Sequence, residues 1–242
     1  MISRHIESHG VELKHERELD TIIYNDNGRV TSVLTTDGSK IACEFAGIAV
    51  GVHPNIELVK DSAIKVKHGI LVDEYLQTSV PHIYAIGDCV ERTHSLPGRK
   101  NIEQVWYTAR MMGETVAQTI CGESTKYAPG PWFNSAKFFD IEFQTYGNVS
   151  NTLPEEQEEL YWEHHSGKKA IHIVWDRATS TFLGINSFGI RLRHERFDRW
   201  LREARPVHFV IDRLSESNFD PEFSERYELE IQEQFNSLFA NS

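Results

Sequence analysis

The chain has 242 residues, a formal net charge of −11 at pH 7, 40% hydrophobic and 25% charged residues. Such a composition is ordinary for a globular protein that buries a core in one or two domains, and the acidic balance argues against a nucleic-acid partner, since no basic excess exists to neutralise phosphates. No apolar run is long enough to span a bilayer, the first ten residues lack a signal-peptide core, and Cys43, Cys89 and Cys121 are too far apart for CxxC, a zinc set or a disulfide framework. A reducing, cytoplasmic location with no membrane partner is expected, and the sequon at Asn148 is read as incidental.

In chain order, Ile2 and Ile6 lie on one side of a short helical turn that stops at Gly10. Strand-like segments follow at Val11–Leu13, Leu19–Tyr24, Val30–Thr35 and Ile41–Val50, broken by the turn signals Asn25–Gly28 and Asp37-Gly38. Phe45–Gly51 is almost wholly apolar and small, the texture of a parallel strand buried on both faces. Lys67–Asp73 predicts another strand. His82–Ile86 predicts a short apolar strand that ends in Gly87-Asp88, where a glycine permits close backbone approach and a carboxylate can accept hydrogen bonds from sugar hydroxyls. Ile102–Ile120 predicts a helix whose N-terminus could face an electron-rich ring carbonyl.

Four blocks in order carry a family resemblance: Ala49-Val50-Gly51-Val52-His53-Pro54-Asn55, Gly69-Ile70-Leu71-Val72-Asp73, Gln77-Thr78-Ser79 and Ile83-Tyr84-Ala85-Ile86-Gly87-Asp88-Cys89. They resemble the pyridine nucleotide–disulfide oxidoreductase superfamily. The segment Ile102–Arg110 resembles the flavin-facing helix start of its ferredoxin-, rubredoxin- and nitrite-reductase-like branch. The resemblance covers about the first half of the chain. It implies that Asp88 binds the FAD ribityl chain, that Gly87 lets the backbone close on it, and that Gln104, Val105 and Trp106 offer donors to the flavin pyrimidine edge. It further implies that Glu103 lies near the nicotinamide approach and that Gly51 marks the crossing from the NAD(P) domain to the FAD domain. Local chemistry alone leaves Asp88 open as a turn residue and Glu103 as a helix-start charge.

No GxGxxG occurs in the chain, although a dinucleotide fold of this kind uses two, and no CxxxxC redox pair is present. Cys89 is read as a packing residue. The chain is therefore expected to be the C-terminal part of a flavoprotein, with FAD and NAD(P)H bound only in the complete protein.

After a linker-like Tyr127–Pro131, the aromatic segment Trp132–Gly147 resembles the C-terminal domain of the same branch, with Asn134 where a Phe-Trp-Ser motif has tryptophan. Strands are expected at Glu159–His164, Ala170–Asp176 and Phe182–Phe188, and helices at His194–Ala204 and Glu225–Phe239. The His5/His9 pair and the group His164, His165 and His172 lack a convincing third ligand. The arginines from Arg191 to Arg202 are expected either to dock an anion or to pair with the acidic tail Glu222–Glu233.

The expected fold is α/β: the end of an NAD(P)-type sheet over residues 1–52, the returning half of an FAD domain over 53–124, and an α+β domain over 125–242. The implied function is FAD-dependent NAD(P)H oxidoreduction with a small-molecule or small redox-protein electron acceptor. A non-catalytic assembly or regulatory module, or one half of a split enzyme whose N-terminal half is a separate chain, stands as the alternative. Self-association into a homo-oligomer is left open.

Overall fold

A computed structural model describes residues 1–240, so residues 241–242 of the expected third domain lie outside the described part. The fold is mixed α/β, and one compact unit is Ile2–Val52 while the other follows from His53. The first unit opens with helix α1 (Ile2–Ser8), then strands β1 (Leu19–Tyr24), β2 (Val30–Thr35) and β3 (Lys40–Ala42), which pair antiparallel in the order β1-β2-β3. Both predicted turns join these strands. Asn25 Oδ1 accepts from the amides of Asn27 and Arg29, and Asp37 accepts from Ser39, the self-capping that makes such residues turn formers.

Two expectations fail here. Val11–Leu13 is not a strand, and Phe45–Gly51 is irregular rather than a doubly buried strand. Phe45 is 84% exposed and Val50 90% exposed. A strand apolar on both faces is stable only between two neighbours, and among the described residues none pairs with it.

The second unit contains β4 (Ile70–Val72), a 3-10 turn at Gly87–Cys89, β5 (Val90–Arg92) and α2 (Trp106–Ile120). Strands β6 (Phe133–Phe138), β7 (Ile141–Gly147), β8 (Gln157–Glu163), β9 (Ala170–Asp176) and β10 (Phe182–Phe188) follow, then α3 (His194–Arg202), α4 (Val207–Asp212), a 3-10 turn at Leu214–Ser217 and α5 (Glu228–Ala240). β4 and β5 form a parallel pair with Ile70 opposite Val90. The strand expected at His82–Ile86 does not form; only Tyr84 makes a bridge, to Gln77, and regular pairing begins after Asp88 instead. Gly69 is obligatory beside this pair, because a Cβ there would stand 2.9 Å from the Cys89 carbonyl oxygen. Val72, Leu76, Val90, Met112, Val116 and Tyr127 form one core, so the segment expected as a linker is packed at its first residue. Burial of that phenol pushes the Tyr127 pKa up to about 12.

β6 to β10 make a five-stranded antiparallel sheet in the order β6-β7-β10-β9-β8. Ile171, Ile173 and Trp175 alternate along β9 into a second core with Phe197 and Trp200 of α3, Val210 and Ile211 of α4, and Ile231 and Phe235 of α5. Three arginines of the basic run pair outside the acidic tail: Arg191 meets Glu142, Arg196 meets Glu216 and Arg202 meets Asp198. The histidines find local partners. The His5 and His9 rings meet edge to face at 4.5 Å, and His172 Nε2 lies 2.7 Å from Glu159. Among the described residues no helix is long and apolar enough to cross a membrane.

Candidate functional site

The turn that carries Asp88 begins with Ile86 in extended backbone and passes through Gly87 at φ +82°, a left-handed conformation that suits glycine. The Val90 amide closes the turn by donating to the Gly87 carbonyl, and β5 starts there. Asp88 stands exposed. Two contacts fasten the turn to α2. The Gly87 amide donates to Met112 Sδ at 3.4 Å, and Gln104 Nε2 donates to the Asp88 carbonyl at 3.4 Å.

α2 starts at Trp106, four residues later than the pattern at Ile102 suggests. Val105 is the N-cap, extended at φ −137° and ψ 136°, with no side-chain cap and no acidic residue in the first turn. Its carbonyl accepts the first helical bond, from the Ala109 amide at 3.1 Å. The amides of Trp106, Tyr107 and Thr108 therefore have no acceptor within the helix, and they sit at its positive end. Such an end suits an electron-rich carbonyl or an anion. Asp88, Gln104, Val105 and the 66% exposed Trp106 thus gather where the turn meets the helix start.

Glu103 is placed differently from its neighbours. Its side chain is 2% exposed and held by Arg99, with Nε to Oε1 and Nη2 to Oε2 both 2.8 Å, and by Arg92 Nη1 at 3.4 Å. Gly51 lies near the end of the first unit with φ +96°. A cavity of about 450 Å³ is lined by Arg99, Glu103, Gln104, Val105, Trp132 and Asn148, among others. Arg99 stacks over the Trp132 ring at 5.3 Å, while Phe133 packs against Tyr107 at 5.1 Å and His194 at 4.3 Å. Asn134 pairs with Thr145 across the sheet, and its Oδ1 accepts from the Ser135 amide at 2.9 Å. Cys43, Cys89 and Cys121 are free thiols.

Sequence reasoning missed Arg92, Arg99 and the Met112 contact. The i,i+4 spacing of Arg99 and Glu103 was a faint signal for the first pair. Nothing local announces Arg92, because a buried arginine in a strand contradicts the apolar pattern.

A family model described as pyridine nucleotide-disulphide oxidoreductase matches residues 1–113. The ferredoxin–NAD(P)+ reductase of a Sphingomonas species is 34% identical over 143 residues, 58% of this chain and 34% of that protein. Rubredoxin–NAD+ reductase of Pseudomonas putida is 33% identical over 131 residues, 54% of this chain and 34% of the relative. The chain thus spans about a third of these curated relatives. Among solved structures, the NAD-dependent persulfide reductase of A. fulgidus superposes with a TM-score of 0.75 at 20% identity, covering 99% of this chain and 47% of that one. The ferredoxin reductase of Rhodopseudomonas palustris gives 0.68 at 21% identity, covering 96% and 52%. Those two likenesses show the fold. Over residues 1–113 the chain is similar to the pyridine nucleotide-disulphide oxidoreductase family.

Proposed function

We propose that the chain is part of an FAD-dependent NAD(P)H oxidoreductase that passes electrons to a small redox protein or a small molecule. The observation that carries the reading is the meeting of the Asp88 turn with the uncapped start of α2, in a sequence whose family uses FAD and NAD(P)H. The donor set fits a flavin: a free carboxylate for ribityl hydroxyls, a left-handed glycine that lets the backbone come close, and three helix amides for a pyrimidine carbonyl. When bound, FAD supplies the acceptance of a hydride from NAD(P)H and the onward transfer of electrons.

The chain's own residues bind and orient. Asp88 accepts from the sugar-like chain, while Gly87 keeps a side chain out of its path. Val105 and Trp106, with the amides that follow, hold the ring edge at the positive end of α2, and Gln104 steadies the Asp88 backbone. Glu103 acts from behind this surface, and Gly51 is the crossing between the nucleotide domains. The free thiols accord with a reducing compartment, and we place the protein in the cytoplasm.

No GxGxxG is present in these 242 residues, so the adenine and pyrophosphate contacts are assigned to glycine-rich turns outside them. The test combines the chain with those turns, on one polypeptide or as a partner chain. Stoichiometric FAD and NAD(P)H-dependent reduction of an acceptor are expected. A chain that no such partner renders yellow is the non-catalytic module.

A further inference from the structure

The Glu103 carboxylate shares a buried site with two guanidinium groups, the side chain of Arg92 being 0% exposed and that of Arg99 2%. Two cations against one anion away from water are tolerated only where the geometry is good and the remaining donors find acceptors. Arg99 meets that condition with its fork on Glu103 and with Nη1 donating to the Gly130 carbonyl at 3.0 Å and the Pro131 carbonyl at 3.3 Å. Arg92 meets it in part: it donates to Glu103 and to the Lys100 carbonyl, while its buried Nε finds no acceptor among the described residues. A buried cluster of this kind adds little stability over apolar packing of equal volume, so its use lies in what it joins.

It joins three segments. Arg92 ends β5, the strand that leaves the Asp88 turn, and its amide donates to the Asn101 carbonyl at 3.1 Å. Glu103 immediately precedes Gln104 and Val105, which open α2. Arg99 reaches the chain entering β6 and covers Trp132. We propose that Glu103, with Arg99 and Arg92, is the positioning centre that fixes the Asp88 turn relative to the amides opening α2. Held by one another in the buried site, the three act through the residues that adjoin them, the Asp88 turn, Gln104 and Val105. The surplus positive charge also lies behind the helix start, where it adds to the field of the helix. This inference rests on the flavin reading above.

The test uses Glu103→Gln, Arg99→Gln, the double variant Arg99→Gln/Glu103→Gln, and Lys100→Ala as a control. Two quantities are measured: hydrogen exchange of the Ala109 amide in this chain, and the FAD dissociation constant of the complete reductase. Glu103→Gln breaks charge-assisted bonds and should speed Ala109 exchange and weaken FAD by roughly tenfold or more each. The double variant removes one charge of each sign but leaves Arg92 without a carboxylate, so it should recover part of both losses, and Lys100→Ala should change neither. Should Glu103→Gln fail to fold, Arg99→Lys, which keeps the charge and loses the fork, is read out on the same two measurements. Unchanged exchange and affinity, or losses in the double variant equal to the sum of the two single ones, would overturn the proposal. The two readings fail separately. Faster exchange in Glu103→Gln with FAD binding indifferent to Asp88→Ala keeps the positioning role and sinks the flavin site. Weakened FAD in Asp88→Ala with nothing altered in Glu103→Gln does the reverse.

Discussion

The amide of Gly87 points at the sulfur of Met112, 3.4 Å away, and through that contact the turn carrying Asp88 is fastened to the middle of α2. Met112 is 1% exposed and packs with Val72, Leu76 and Val90, so the same side chain serves the core and the turn. Met112→Ala should cost about 2–5 kcal/mol in urea unfolding. Met112→Leu keeps the volume and should cost less than about 1.5 kcal/mol, yet it removes the acceptor for Gly87. Cys89, next to Asp88, should therefore react faster with a thiol reagent in Met112→Leu than in the unmodified chain. Equal rates would show that the sulfur contact does not hold the turn.

A pair of glycines separates backbone strain from steric collision. Gly147 and Gly167 have φ of +73° and +67°. A Cβ on Gly147, at the end of β7, would strike the Leu183 carbonyl oxygen and stand 2.9 Å from Leu201 Cδ2, whereas one on Gly167 would meet nothing within 4 Å. Gly167→Ala should cost only the left-handed penalty, about 1–2 kcal/mol. Gly147→Ala should cost clearly more, and comparable thermal shifts for the two would contradict the packing of β7 against β10.

Legibility in the sequence followed how local the determining forces are. β9 and β10 match their expected bounds, and α3 and α5 fall within a few residues of theirs, because alternation and helical spacing record which face is covered. The hairpin turns were legible in Asn25 and Asp37, whose side chains satisfy their own backbones. Phe45–Gly51 misled because an apolar run reports a preference for burial and cannot report whether neighbours exist to provide it. β5 was invisible for the opposite reason: its Glu91 and Arg92 are buried polar residues. Glu91 is satisfied by the amides of His68 and Gly69 at 2.8 and 3.0 Å, and Arg92 pairs with Glu103 through Nη1 while its buried Nε has no acceptor among the described residues; these partners are remote in sequence. Of the candidate site, Gly87 and Asp88 were singled out by their motif, the helix start was read four residues early, and the buried cluster behind them required the fold.

The buried phenol of Tyr146 predicts an alkaline limit to stability. It stacks on Phe197 with ring centroids 5.1 Å apart, and burial pushes its pKa from 10.0 up to about 12. The unfolded chain loses this proton at the lower value, so the contribution is fully present below pH 10 and is lost as pH rises towards 12. Tyr146→Phe should flatten that part of the stability curve, read by urea unfolding alongside tyrosinate absorbance. An unchanged slope would mean that Tyr146 titrates as an exposed tyrosine.

FAD affinity decides whether the Asp88 turn and the start of α2 form a flavin site. Asp88→Ala in the chain combined with the proposed phosphate-binding turns, compared by titration calorimetry with the unaltered protein, removes the exposed carboxylate of the turn that meets the α2 start. Charge-assisted hydrogen bonds to it are worth about 1.5–3 kcal/mol each, so the FAD dissociation constant should rise roughly tenfold or more. The isolated chain, lacking the phosphate-binding turns, should purify colourless. A reductase that binds FAD equally well with Asp88→Ala, or stoichiometric FAD on the isolated chain, would contradict the account.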